Sequence, residues 1–206
     1  ARLVDRVYAS VTPENEMKWE TLRPTRGAWD FAAADRIVEW AQARGKRIRG
    51  HALIWHMQNP EWLERGNFTR DELIALMREH IYTVVGRYRG RVQEWDVVNE
   101  AVEDGRGNLR DTVWLRGIGP EYVAMAFRFA READPQARLF YNDYGAEQRG
   151  TKAAGVLRLL RDLREAGAPV DGVGLQGHVS TAPLPGFDAV LDEYREVGVQ
   201  VAFTEV

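Results

Sequence analysis

The sequence predicts an α/β chain of parallel βα units, a (β/α) barrel, with a doubly wound sheet as the alternative. Three observations carry this. Strand-like and helix-like segments alternate along all 206 residues, without internal repeats or low-complexity linkers. The strand-like segments are near-continuous apolar runs, the pattern of strands buried on both faces. Each then ends in polar side chains, which is where (β/α) barrels keep their active sites; a doubly wound sheet concentrates function at one crevice.

Composition bounds the rest. With 206 residues and 45% hydrophobic content the chain can bury a sizeable core, as one large domain over residues 1–206. The net charge of −3 comes from 28 basic and 31 acidic residues mixed throughout. Such mixing gives no basic stripe for nucleic acid and no charged tail. No apolar run is long enough to span a membrane. The absence of cysteine excludes disulfides, a thiolate nucleophile and cysteine-ligated zinc, and fits either side of a membrane.

In chain order, Leu3, Val4 and Val7 read as the end of a helix, and Tyr8 to Thr12 as extended. A helix follows Asp30, its N-cap, with Phe31, Ala34, Ile37, Val38 and Ala41 on one face and Gly45 as its stop. Arg47 to His56 is a strand ending in polar and aromatic residues. Thr69 and Glu72 form a capping box for a helix whose apolar stripe is Leu73, Leu76, Met77, Ile81, Val84 and Tyr88. Gln93 to Glu100 is a short buried strand, with Trp95, Val97 and Val98 supplying aromatic and β-branched content. Pro120 starts a helix with Tyr122, Ala126, Phe129 and Ala130 buried, and Asp134-Pro135 ends it. Leu139 to Tyr144 is the next strand, followed by a helix through Val156, Leu157, Leu160 and Leu163 to Gly167. The strand Gly172 to Gln176, a helix through Val190, Leu191, Tyr194 and Val197 to Gly198, and the strand Val199 to Glu205 complete the series. That makes six strands, two short of a closed eight-stranded barrel. Trp40 and Trp95 are expected in the core.

Two carboxylates, Glu100 and Glu205, end different strands. A pair of carboxyl groups facing one cleft can cut a glycosidic bond, one protonating the leaving oxygen while the other attacks the anomeric carbon. Two motifs lead elsewhere. Gly172-Val173-Gly174-Leu175-Gln176-Gly177 matches the dinucleotide fingerprint by letter, but that motif must follow a strand, and here it is the strand. His51 and His56 have neither strand-alternating nor helical i, i+4 spacing, so no metal is expected.

Thr12-Pro13-Glu14-Asn15-Glu16-Met17-Lys18-Trp19, Arg49-Gly50-His51-Ala52-Leu53-Ile54-Trp55-His56, Trp95-Asp96-Val97-Val98-Asn99-Glu100, Asn142-Asp143-Tyr144, Gln176-Gly177-His178 and Thr204-Glu205 together resemble glycoside hydrolase family 10, the endo-β-1,4-xylanases. The resemblance implies a (β/α)8 TIM barrel, here partial with about six of eight strands. It implies retaining hydrolysis of xylan with Glu100 as acid/base and Glu205 as nucleophile, without metal or organic cofactor. It assigns Glu14, Asn15 and Lys18 to the non-reducing side of the cut, and His51, Trp55, Gln58, Asn99 and Gln176 to the reacting sugar. His178 is assigned to the nucleophile and Tyr144 to the leaving-group side.

Partners are then xylan and xylo-oligosaccharides, with neither nucleic acid nor membrane, and the site of action is extracellular. Gly145 stands where the family usually carries Asn, which weakens the leaving side. The family also continues past the nucleophile with a supporting Asp and an eighth strand, so the chain is expected to be truncated at both ends. The rival activities are a β-1,4-glucanase on the same scaffold, a non-catalytic xylan-binding protein and, more distantly, a metal-dependent barrel hydrolase.

Overall fold

The computed structural model describes residues 6–178 and 184–205. Leu3 and Val4, which figure in the sequence reading, lie outside them; Arg6 and Val7 are helical. Six strands follow: β1 (Ser10–Val11), β2 (Arg47–Ile54), β3 (Glu94–Asn99), β4 (Arg138–Asp143), β5 (Gly172–Leu175) and β6 (Gln200–Phe203). They form one sheet in the order β1-β2-β3-β4-β5-β6, every adjacent pair parallel. Strictly consecutive order excludes the doubly wound alternative, whose strand order reverses at a switch point. The architecture is a partial (β/α)8 barrel.

The connecting helices are α1 (Trp19–Leu22), α2 (Ala32–Gln42), α3 (Glu61–Glu64), α4 (Arg70–Arg87), α5 (Val113–Gly117), α6 (Tyr122–Ala133), α7 (Thr151–Glu165) and α8 (Phe187–Val197). At α4 the Thr69 hydroxyl accepts from the Glu72 N–H, and the Glu72 carboxylate accepts from the Thr69 N–H at 2.8 Å. Its whole expected stripe is buried. At α2 the N-cap is Phe31 and not Asp30 as expected; Asp30 stands one residue earlier, where its carboxylate accepts from the Ala32 N–H at 2.9 Å.

Three more readings are corrected. The short helices α1, α3 and α5 were not foreseen, being too brief for a periodic pattern. On α6 the buried phenylalanine is Phe127; Phe129 flanks the stripe and meets Tyr82 edge-on. Trp95 is fully buried, but Trp40 is only partly covered, with the Arg44 guanidinium 4.6 Å from its ring centre.

Registers between strands decide which side chains reach the barrel interior. Asp96 pairs with Phe140, yet Val98 pairs with Tyr141, so Val97 is an extra residue in β3. Such a bulge resets the in–out alternation of its strand. Asp96 meets Arg49 and His51, whose strand lies alongside, and after the bulge Asn99 meets Asn142. Without it Asn99 and Asp96 would face opposite sides of the sheet. Gly174 serves the same interior: a Cβ there would lie 2.2 Å from Asn142 Oδ1 and 2.8 Å from Thr204 Cγ2. Two of the three glycines of the fingerprint-like run, Gly172 and Gly174, are therefore part of β5 itself, shaped by packing.

Candidate active site

The C-terminal ends of the strands deliver the polar residues. Glu100 follows β3 directly, with φ +54°, left-handed for a residue with a side chain. That conformation costs roughly 1–2 kcal/mol, so it needs external support. Its N–H donates to Asn142 O at 2.8 Å, and its carbonyl accepts from Arg110 Nε at 3.2 Å. Its carboxyl group accepts three N–H donors: Trp55 Nε1 on Oε2 at 2.9 Å, with Gln176 Nε2 at 2.8 Å and Asn99 Nδ2 at 3.1 Å on Oε1.

Glu205, just past β6, is more open. Asn142 Nδ2 donates to its Oε1 at 3.1 Å, and His178 Nε2 lies 3.1 Å from its Oε2. The same Asn142 amide donates to Asn99 Oδ1 at 2.9 Å, while its own Oδ1 accepts from Thr204 Oγ1 at 2.7 Å. A chain of amides thus spans the two carboxylates, from Glu100 through Asn99 and Asn142 to Glu205.

Glu100 and Glu205 line one cavity of about 510 Å³ together with Glu14, Lys18, His51, Trp55, Gln176 and His178. Asn15 and Gln58 stand by it without lining it: Asn15 Oδ1 accepts from Lys18 Nζ at 3.3 Å and from Gln58 Nε2 at 3.1 Å. Burial pushes the Lys18 ammonium down, against the opposing pull of Glu14, Glu205 and Glu100. The Lys18 cation also sits 4.6 Å from the Trp55 ring centre.

Asn99 lies beneath the carboxylates, almost fully buried. Tyr144 does not line this cavity. Its hydroxyl donates to Asp104 Oδ2 at 2.8 Å and accepts from Arg110 Nη2 at 3.3 Å.

His51 and His56 do not converge. His51 Nδ1 is 2.9 Å from Asp96 Oδ2, whereas His56 Nδ1 stands 3.8 Å from Glu100 Oε2. Burial would push the Asp96 carboxyl up, but the adjacent Arg49 guanidinium and His51 ring hold it below the usual carboxylate range. An ionised carboxylate only accepts, so His51 carries its proton on Nδ1 and leaves Nε2 for the cavity. Burial, then Arg110, pushes His56 down, toward its neutral form. Among the described residues no group of three or more His, Asp or Glu side chains has metal-holding geometry.

Sequence reasoning did not single out Asn142, which bridges the two carboxylate systems, or Asp96, which orients His51. The available signal was a polar residue inside an apolar strand. A second cavity, of about 360 Å³, lies outside the sheet between α6 and α7, lined by Ala124, Arg128, Gly155 and Leu159 among others. It shares none of these groups.

Comparison with known proteins agrees with this geometry. The family model described as Glycosyl hydrolase family 10 matches residues 1–206. The chain is 41% identical to endo-1,4-beta-xylanase B of Thermotoga neapolitana, over 98% of its own length and 58% of that protein's. It superposes on native xylanase 10B of Thermotoga maritima with a TM-score of 0.96 at 42% identity, covering 100% of this chain and 64% of that one. Xylanase 10B of Thermotoga petrophila RKU-1, solved with xylobiose, gives 0.94 at 42% identity, over 97% and 62% of the two chains. An intracellular xylanase of Thermoanaerobacterium saccharolyticum, in complex with xylotriose, gives 0.94 at 36%, over 99% and 67%. The chain thus spans about three-fifths of the length of the curated relative. With the family model matched throughout and six parallel strands in the same arrangement, the chain belongs to glycosyl hydrolase family 10.

Proposed function

We propose that this chain carries the catalytic centre of a retaining endo-β-1,4-xylanase. One observation carries the reading: two strand-end carboxylates face a single cavity and are joined by a chain of amide hydrogen bonds. Glu205 attacks the anomeric carbon while Glu100 gives its proton to the departing glycosidic oxygen. Glu100, now a carboxylate, takes a proton from water, which attacks the same carbon and releases Glu205. Two inversions leave the configuration retained.

Trp55, Gln176 and Asn99 then stabilise Glu100 whenever it is ionised, and Asn142 and His178 orient Glu205. Glu14, Asn15, Lys18, Gln58 and His51 take sugar hydroxyls, and Tyr144 supplies a ring face to the leaving-group sugar. Xylan is the substrate proposed because the compared relatives are named xylanases and two were solved with xylo-oligosaccharides. Rates on xylan and on carboxymethylcellulose check that choice. The proposed site of action is extracellular, since a polymer does not cross a membrane, and assay of medium against cell lysate tests it.

The decisive experiment uses the complete gene product containing these residues. Glu100→Ala should slow substrates with poor leaving groups by roughly 10²–10⁴-fold and spare activated aryl glycosides. Added azide should then yield the β-glycosyl azide. Glu205→Ala should abolish turnover of both substrate types. An α-azide, or equal loss on both types in Glu100→Ala, rejects the assignment.

A further inference from the structure

Next to the proposed site is a buried cation that the mechanism does not use. Lys152, in the first turn of α7, is 7% exposed. Its ammonium has three N–H donors and three oxygen partners: Val102 O at 2.7 Å, Asp104 Oδ1 at 2.9 Å and Asp143 Oδ1 at 3.0 Å. It also stands 4.0 Å from the centre of the Tyr144 ring. These partners come from two elements. Val102 and Asp104 belong to the loop that follows Glu100, whereas Asp143 and Tyr144 end β4.

Arg110 closes the same assembly from the other end of that loop. Its Nε donates to Glu100 O at 3.2 Å, and its Nη2 donates to Val102 O and to the Tyr144 hydroxyl, both at 3.3 Å. Asp104 is shared, accepting from the Tyr144 hydroxyl on Oδ2 and from Lys152 on Oδ1. The ring of Tyr144 is therefore held at its face by one cation and at its hydroxyl by a second. The second also holds the backbone of Glu100.

We propose that Lys152 is a positioning residue for the leaving-group side, fixing the Tyr144 ring relative to the Glu100 carboxyl group. The inference rests on the xylanase reading above. A sugar stacked on Tyr144 presents its glycosidic oxygen to Glu100 only if ring and carboxyl keep one mutual distance. Small misplacements of a positioning group cost rate steeply. An apolar side chain could fill the same volume, and ion networks in such places are often replaceable without loss of stability. Lysine is explained by what its charge grips: two carboxylates, a carbonyl and a ring face.

The test compares two substrates in the complete gene product. Xylopentaose places sugars on both sides of the cut, whereas the fluoride of β-xylobiosyl fluoride is too small to reach a ring platform. Lys152→Met keeps the length of the side chain and removes the charge. It should lower the ratio of kcat/KM for xylopentaose to that for the fluoride by about tenfold. Asp104→Asn, a change on an exposed loop residue, should move the ratio in the same direction if Lys152→Met fails to fold. In a Tyr144→Ala background, Lys152→Met should leave the ratio where Tyr144→Ala alone sets it.

An unchanged ratio in both Lys152→Met and Asp104→Asn overturns the proposal. So does a further fall of the ratio in the double variant, which would show that Lys152 does not act through Tyr144. If the parent protein hydrolyses neither substrate, the xylanase reading itself has failed, an outcome distinct from both.

Discussion

Single residues here do their work under opposed forces, and Asp143 shows the balance most plainly. It is completely buried at the end of β4, where its Oδ1 accepts from the Tyr144 N–H at 2.9 Å and faces Lys152. The Tyr141 hydroxyl donates to its other oxygen. Burial raises its carboxyl to about 6 from an ordinary 3.8, with Lys152 and Tyr141 pulling the other way. The folded chain thus holds this proton more tightly than the unfolded chain. The stabilisation is complete below about pH 4 and is lost as pH rises through about 6.

Removing the titration isolates the effect. Stability of the parent minus that of Asp143→Asn should fall with rising pH across this window, by up to about 1.4 kcal/mol per pH unit. Denaturant midpoints at several pH values measure it. The subtraction is needed because Asp96 and Asp35 are held low by Arg49 and Arg87, and their contributions run in the opposite sense. A difference that stays flat, or rises with pH, would contradict the assignment.

At the scale of elements, strands place the site and helices mainly support them. The helix boundaries were legible in the sequence because their signals are local: the Thr69–Glu72 box, and Gly45, Gly167 and Gly198, which all take positive φ past a helix end. The strand ends were legible for a similar reason, since apolar runs stop at polar residues. What single-sequence reading could not supply was parity. Asn99, Asn142 and Asp96 reach one interior only because β3 carries an extra residue opposite β4, and a bulge is a property of two strands together. The phase error on α6, Phe129 for Phe127, has a related cause. Two phenylalanines two positions apart face opposite sides of a helix, and only the packed neighbours decide between them.

Packing on β5 gives a test at this scale. Gly174→Ala would push a methyl group against Asn142 Oδ1, Thr204 Cγ2 and Arg49 Nη2, at 2.2, 2.8 and 2.9 Å before relaxation. Overpacking of this kind costs roughly 1–3 kcal/mol. The added methyl displaces the amide that holds Glu205, so a lower Tm should come with a fall in kcat larger than the rise in KM. Gly86→Ala on α4, where a Cβ would meet nothing within 4 Å, is the control and should not lower Tm. Equal behaviour of the two variants would mean that the space around Asn142 is unimportant.

Among the described residues of the whole molecule the sheet has two free edges: β1 and β6 end the strand order and do not pair with each other. Edges carry unpaired N–H and C=O groups, and a closed barrel has none. Apolar surface accompanies them, for Phe203 on β6 is 49% exposed and Val7 and Tyr8 beside β1 are 63% and 55% exposed. The match to three-fifths of the length of a curated relative points the same way. Net stabilities of roughly 5–15 kcal/mol leave little margin for a core that is wet along both edges. Glu205 lies two residues past β6, so the proposed nucleophile depends on an element that, among the described residues, has a neighbour on one side only.

The 206 residues produced alone should therefore self-associate through their strand edges and hydrolyse xylan poorly. Added strands that pair with β1 and β6 should restore a monomer, a cooperative thermal transition and activity together. Size-exclusion chromatography with light scattering, followed by reducing-sugar release from xylan, measures both properties on one preparation. A monomeric 206-residue chain with full activity would refute the dependence of the site on closing the sheet. Recovery of the monomer without activity would instead separate folding from catalysis, and show that closing the sheet does not by itself complete the site.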